Sequence, residues 1–295
     1  MASDRDQTGA LGLELDRQAH AVSGGHGMRP IIDELHHTSF PDWLSGGFAA
    51  PEFPELYVRL LEKFSARYDW VQDYTIFNEP LSTTLFCSYT GMWYPHSRST
   101  RAFVQMAQNV GRAICLGSAM LTRRDPAVQL IHVDTAEYHR SLDSKSENWV
   151  RFANDRRFMM HDLILGRITR DHPLWLHLHK NGMTSEEREH FIDNPARIDV
   201  LGLDYDQHSE MDWFWNTRDR AAGISRTVQR PRGFRSVAKD YSERFKLPMM
   251  LSETNIRGEI SDRITWLKFM TEYRPVRVVR EAGAGQGRIA GSTGL

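Results

Sequence analysis

The sequence predicts an α/β fold in which helices surround a parallel sheet, either open or closed into a barrel. Three observations point there. Short apolar runs alternate with segments of helical periodicity over residues 28–273. The apolar runs lack polar alternation, the pattern of strands buried on both faces. Several of those runs end in polar residues, as the strands of parallel α/β folds do where a ligand sits at their carboxyl ends.

Along the chain, residues 1–27 are polar and small and end in "SGGHG". They read as poorly ordered, or as a helix around Leu11 to Ala21 with a Gly-rich stop. "MRPIIDELHH" reads as the first strand. "FPELYVRLLEKFSARYDW" places Leu56, Leu60, Leu61 and Phe64 at helical spacing. "YTIFNEP" is the next strand. "STRAFVQMAQNVGRAICLGSAMLTRRD" is a long helix with small residues along one face. The strand "AVQLIHVD", the helical "NWVRFANDRRFMMHDLILG" and the strand "ARIDVLGLDY" follow. "RGFRSVAKDYSERFK" is a helix, "LPMMLSETN" a strand and "ISDRITWLKFMTEY" a final helix. Residues 274–295 are rich in Gly and Ala, lose the apolar period and read as a disordered tail.

Composition narrows the function. The chain has 295 residues, 37 Lys and Arg against 38 Asp and Glu, and a formal net charge of −1. No block of either sign occurs, which argues against a nucleic-acid or polybasic membrane partner. No apolar run approaches the roughly 18 residues needed to cross a bilayer. "MASDRDQTGA" lacks the apolar centre of a signal peptide, so a cytoplasmic setting is expected. Cys87 and Cys115 make neither a disulfide framework nor a zinc set. No G-x-G-x-x-G or Walker loop follows a strand, which weakens a nucleotide-binding reading. No cofactor or metal is implied, and oligomeric state is not legible.

The strand ends carry His36 and His37, Asn78 and Glu79, Asp134, Asp204 with Asp206, and Glu253. Two of them, "TIFNEP" and "MLSETN", present a glutamate in similar settings. Three strand–helix steps separate them, which would put Glu79 and Glu253 across a barrel mouth. Glycosidic cleavage needs such a pair: one carboxyl held protonated to give its proton to the leaving oxygen, the other ionised to attack the anomeric carbon. A separation of about 5–5.5 Å gives retention. Set against this, charged residues after strands are mostly solvated.

These residues resemble a known family. "TIFNEP" looks like the T-x-N-E-P acid/base motif of glycoside hydrolase family 1, the β-glucosidase and β-galactosidase group. "DYSERFKLPMMLSETN" resembles the stretch Y-x-x-R-Y-x-x-P-x-x-x-T-E-N that holds the nucleophile. "LHHTSFPDWL" is similar to L-x-H-W-D-L-P-x-W-L, and "IDVLGLDYD" to D-F-I-G-x-N-Y-Y. The likeness covers about residues 28–270. It implies a (β/α)8 TIM barrel, incomplete because strands 1, 2 and 8 are not evident, and a retaining β-glycosidase acting on a carbohydrate substrate without a cofactor. By position, Glu79 would be the acid/base and Glu253 the nucleophile. Asn78 and His37 would hold sugar hydroxyls. Tyr205 falls on the first tyrosine of the strand-6 pattern, and Asp206 replaces the second.

Other constellations have competing readings. Trp93 and Trp213 are candidate faces for a sugar ring, with Trp213 placed in a loop; local packing serves each equally well. His36 should point away from the site by strand alternation. His177 and His179 form an H-x-H pair that reads as surface helix or loop, and Asp134 suits a structural hydrogen bond. An inactive remnant or a carbohydrate-binding protein of the same fold remains the alternative function, as does hydrolysis by another member of the wider clan.

Overall fold

The computed structural model describes residues 29–224, 228 and 231–272. The expectations for residues 1–27 and 274–295 lie outside the described residues.

The central sheet holds five parallel strands, β1 (Ile31–Asp33), β2 (Asp73–Asn78), β3 (Gln129–Thr135), β5 (Val200–Asp204) and β8 (Met249–Glu253), in the order β1-β2-β3-β5-β8. It curls into half of a (β/α)8 barrel, in keeping with the expected incomplete barrel. A second sheet of three strands, β4 (Tyr138–Ser141), β6 (Glu210–Asn216) and β7 (Ala221–Ile224), lies beyond the strand ends, with β6 central. The sequence reading missed it and took the stretch containing Trp213 for a loop.

Helices cover the convex face. Helix α1 (Phe53–Arg67) buries Phe53, Tyr57, Leu61 and Ser65, one residue per turn. Glu55 in its first turn and Arg67 in its last suit the helix dipole. Helix α2 (Pro80–Thr84) is a short turn after β2, with Pro80 at its first position. Helix α3 (Thr100–Arg124) starts at Ser99, whose side chain accepts a hydrogen bond from the Ala102 amide, and ends on Arg123 and Arg124. Its small residues serve close approach: a Cβ at Gly117 would lie 2.8 Å from Leu61 Cδ1 of α1.

The segment read as one helix from Asn148 to Gly166 is two, α4 (Glu147–Arg156) and α5 (Met159–Ile164), broken at Arg157 and Phe158. Helices α6 (Trp175–Lys180), α7 (Ser185–Asp193) and α8 (Phe234–Phe245) follow, and α9 (Ile260–Glu272) comes after β8. The core lies between sheet and helices, with Tyr74, Ile76, Leu130, Leu201 and Leu203 meeting Leu61, Ile114, Leu163 and Val237.

Burial on both faces holds for β2, β3 and β5 but not for the outer strands. Every residue of β1 and β8 is half-buried or exposed, and Ile31 and Leu251 are 43% and 36% exposed. Among the described residues they are the sheet's edges, each paired on one side only. The concave side forms a groove lined by Ile31, Thr75, Ile131, Val133, Met250 and the polar Asn78.

Candidate active site

Both glutamate-bearing strands lose regular register just before the glutamate. The β2–β3 pairing shifts between Thr75 and Asn78, and the β5–β8 pairing shifts between Leu203 and Asp204, so that Asp204 faces Glu253. Strict alternation would send Thr75 and Asn78 to opposite faces. The irregularity puts both in the concave groove, where Ser252 and Glu253 also lie side by side. At the end of β2, Glu79 takes a left-handed backbone (φ 41°) and turns the chain into α2. Its amide donates to the Val133 carbonyl at 3.1 Å, which fixes that turn to the neighbouring strand.

Glu79 and Glu253 line one cleft of about 270 Å³, at the small end for ligand sites. Strands spaced at about 4.8 Å would put the ends of β2 and β8 some 14 Å apart in a flat sheet. Curl and side-chain length bring both glutamates to the same opening. The Glu79 side chain is 17% exposed, whereas Glu253 is exposed. Glu79 Oε1 accepts a hydrogen bond from Thr135 Oγ1 at 2.6 Å, and Oε2 stands 3.8 Å from His37 Nε2. Burial pushes the Glu79 carboxyl up to about 7. The Thr135 hydrogen bond opposes that shift, and the charges of Glu253, Asp206 and Glu137 add to it.

A third carboxyl stands between the two. Asp204, buried on β5, accepts a hydrogen bond from Ser252 Oγ at 2.6 Å through Oδ1. Burial raises its pKa to about 8; Ser252 works against this, and Glu79 and Glu253 reinforce it. At neutral pH Asp204 therefore holds a proton beside Glu79. Gly202 lets the walls close in, since a Cβ there would lie 2.6 Å from Val133 and 2.7 Å from Ser252 Oγ. Asp206, which stands where the strand-6 pattern has its second tyrosine, is one of the charges that raise Glu79. Its Oδ1 accepts the His208 amide at 2.5 Å.

The other sequence-derived candidates divide. Asn78 lines the groove, with its amide nitrogen buried and without a hydrogen-bond partner among the described residues. His37 also has a left-handed backbone, bonds Thr83 Oγ1 through Nδ1 at 3.2 Å and presents Nε2 to Glu79. Burial, then neighbouring His36, lowers its pKa, so the ring is neutral at pH 7. Trp93 packs on His37 at 5.0 Å and on Phe86 at 4.9 Å, beside the cleft. Tyr205 contributes to the cleft wall, but its hydroxyl is committed to Glu210 at 2.8 Å and its ring stacks on Trp266.

Trp213 is not brought to the cleft. It is buried in β6, where its indole N–H donates to His139 Nδ1 at 3.1 Å. His36 does line the groove and bonds Asp33 at 2.9 Å; β1 ends at Asp33, so strand alternation does not extend to it. His177 and His179 sit two apart on α6, against Phe152 and Trp175, and share no metal-binding group. Asp134 accepts hydrogen bonds from the Leu81 and Thr135 amides, as a structural residue would. Thr135, Asp204 and Ser252 are the site residues that motif reading missed. Asp204 had a signal, standing where the strand-6 pattern has asparagine.

No family model matches the sequence, and no curated protein sequence matches it. Solved structures do. The chain is similar to a family 1 β-glucosidase from Thermotoga maritima, at 15% identity and a TM-score of 0.71. Its likeness to the Thermotoga maritima β-glucosidase bound to methoxycarbonyl-substituted glucoimidazole has a TM-score of 0.74 at 16% identity. The complex with castanospermine gives 0.74 at 18%. Each match covers 89% of this chain and 64% of the enzyme. The fold is therefore that of family 1 β-glucosidases, over a little under two thirds of their length. Among the described residues no helix is long and apolar enough to cross a membrane.

Proposed function

We propose that the chain is a retaining β-glycosidase-like hydrolase acting on the O-glycosidic bond of a β-linked sugar, in cytoplasmic carbohydrate metabolism. The observation that carries this reading is Glu79: a half-buried carboxyl raised to about 7 in the cleft it shares with exposed Glu253. A group poised near neutrality can give and take a proton within one cycle. Glu79 protonates the leaving oxygen while the Glu253 carboxylate attacks the anomeric carbon. Glu79, now ionised, takes a proton from the water that releases the sugar. Asn78 and His37 donate to sugar hydroxyls, and Trp93 backs His37.

Release of the aglycone from an aryl β-glycoside tests the reading. Wild-type protein should turn over, and Glu253→Ala should lose at least about a thousandfold in kcat/KM. Equal silence of the two folded proteins rejects hydrolysis. A second reading, sugar binding without turnover, is favoured by the exposure of β8, which leaves Glu253 on an uncovered edge. Saturable binding of a sugar-shaped imidazole by a protein with no turnover would support it.

A further inference from the structure

Ile131 and Val133 face the groove, so His132 and Asp134, between and beside them on β3, share the opposite face, which meets the helices. His161 reaches them from α5. The three residues are 2%, 0% and 0% exposed. One donor atom from each lies within 4.8 Å of the other two, and they are the sole group of this kind among the described residues. The imidazole rings meet edge to face at 4.7 Å.

The polar atoms here are not satisfied. Among the described residues, His132 Nε2 and both His161 nitrogens are buried without a hydrogen-bond partner. Native interiors leave few such atoms; each neutral imidazole has one lone pair, so an ion could take one nitrogen of each ring. The Leu81 and Thr135 amides hold the Asp134 carboxylate in place, as the outer contacts of a metal ligand do. Phe245 stacks on His161 at 5.0 Å, and Tyr241 closes the site at 5.6 Å. The nearby cation Arg244 is bound to Asp162 at 2.6 Å.

We propose that His132, Asp134 and His161 form a buried site for one first-row transition ion, with zinc the best match, that ties β3 to α5. Two imidazoles exclude magnesium and calcium, which prefer oxygen, and a nitrogen-plus-carboxylate set suits zinc. Zinc bonds of about 2.0–2.2 Å require the donors to draw together by roughly 1 Å, within reach of side-chain rotation. A closed site loads as the chain folds. The ion pins the strand that ends in Thr135, the donor to Glu79, and its role does not depend on the sugar chemistry.

The test is refolding of the full chain from guanidinium, with either one equivalent of zinc sulfate or a chelator, followed by dialysis. Metal analysis should find one zinc per chain, and the zinc-refolded protein should melt at least about 5 °C higher. His132→Gln/His161→Gln should lose the zinc, while His177→Gln/His179→Gln should keep it. X-ray absorption of the zinc-loaded wild type should show a nitrogen and oxygen shell with imidazole scattering, a readout that survives if the buried variant does not fold. Refolding without zinc uptake, zinc retained by the buried double variant, or a shell without imidazole would each overturn the site.

Discussion

Thr135, at the end of β3, donates a 2.6 Å hydrogen bond to Glu79 at the end of β2, so the carboxyl's two states are balanced across a strand boundary. Burial favours the protonated acid and the hydroxyl favours the anion. Thr135→Val removes the hydroxyl at nearly constant shape. The Glu79 pKa should then rise from about 7 by roughly one unit, given that hydrogen bonds to charged groups contribute about 1.5–3 kcal/mol. Carboxyl NMR titration or the pH profile of kcat/KM measures it; an unchanged pKa would mean the bond is not made in solution.

Asp204 should make stability pH-dependent in a defined window. Its folded pKa, about 8, lies above the usual aspartate value. Between about pH 4 and 8 the folded chain keeps a proton that the unfolded chain has released. The stability tied to this group is thus full at acid pH and is lost as pH rises through the window. Asp204→Asn keeps the neutral form at every pH. Relative to wild type it should gain about 1–3 kcal/mol at pH 8 and almost nothing at pH 4. Contributions from the buried histidines cancel in the comparison. Urea melts at the two pH values measure the gap, and a gap independent of pH rejects the protonated state.

The first sugar released from an aryl β-glycoside should keep the β configuration, as a double displacement through Glu253 requires. Proton NMR within the first minutes, before mutarotation, reads the anomeric signal. An α product would mean that water attacks directly and that Glu253 acts as a base.

Gly117→Val should destabilise the fold by about 1–3 kcal/mol, because the new side chain enters space already held by Leu61, itself fully buried. The urea midpoint should fall with an unchanged slope. No loss of stability would mean that α1 and α3 are packed more loosely than this contact implies.

The helices and central strands were legible because burial writes its period into the chain. Leu61 and Phe64 on α1, and the unbroken apolar run of β5, follow the rules directly. The β4-β6-β7 sheet was not. Met211, Trp213 and Trp215 alternate with Glu210 and Asp212 as strand residues do, but Phe214 blurs the pattern and the partners β4 and β7 are four residues each, too short to declare a sheet. Glu79 and Glu253 were legible because each ends a strand in a recurring context. Asp204 read as one more polar strand end, since its raised pKa depends on neighbours from β2 and β8. His161 read as a helix residue, because nothing local signals that it meets His132.

The shifted registers ahead of Glu79 and Glu253 mean that the pair is encoded in the main chain as much as in two side chains. Deleting a single residue from either stretch would swing its acid round to the helical layer, though every motif letter survived. Anyone grafting this chemistry onto another scaffold has to carry the backbone irregularity across with the glutamates.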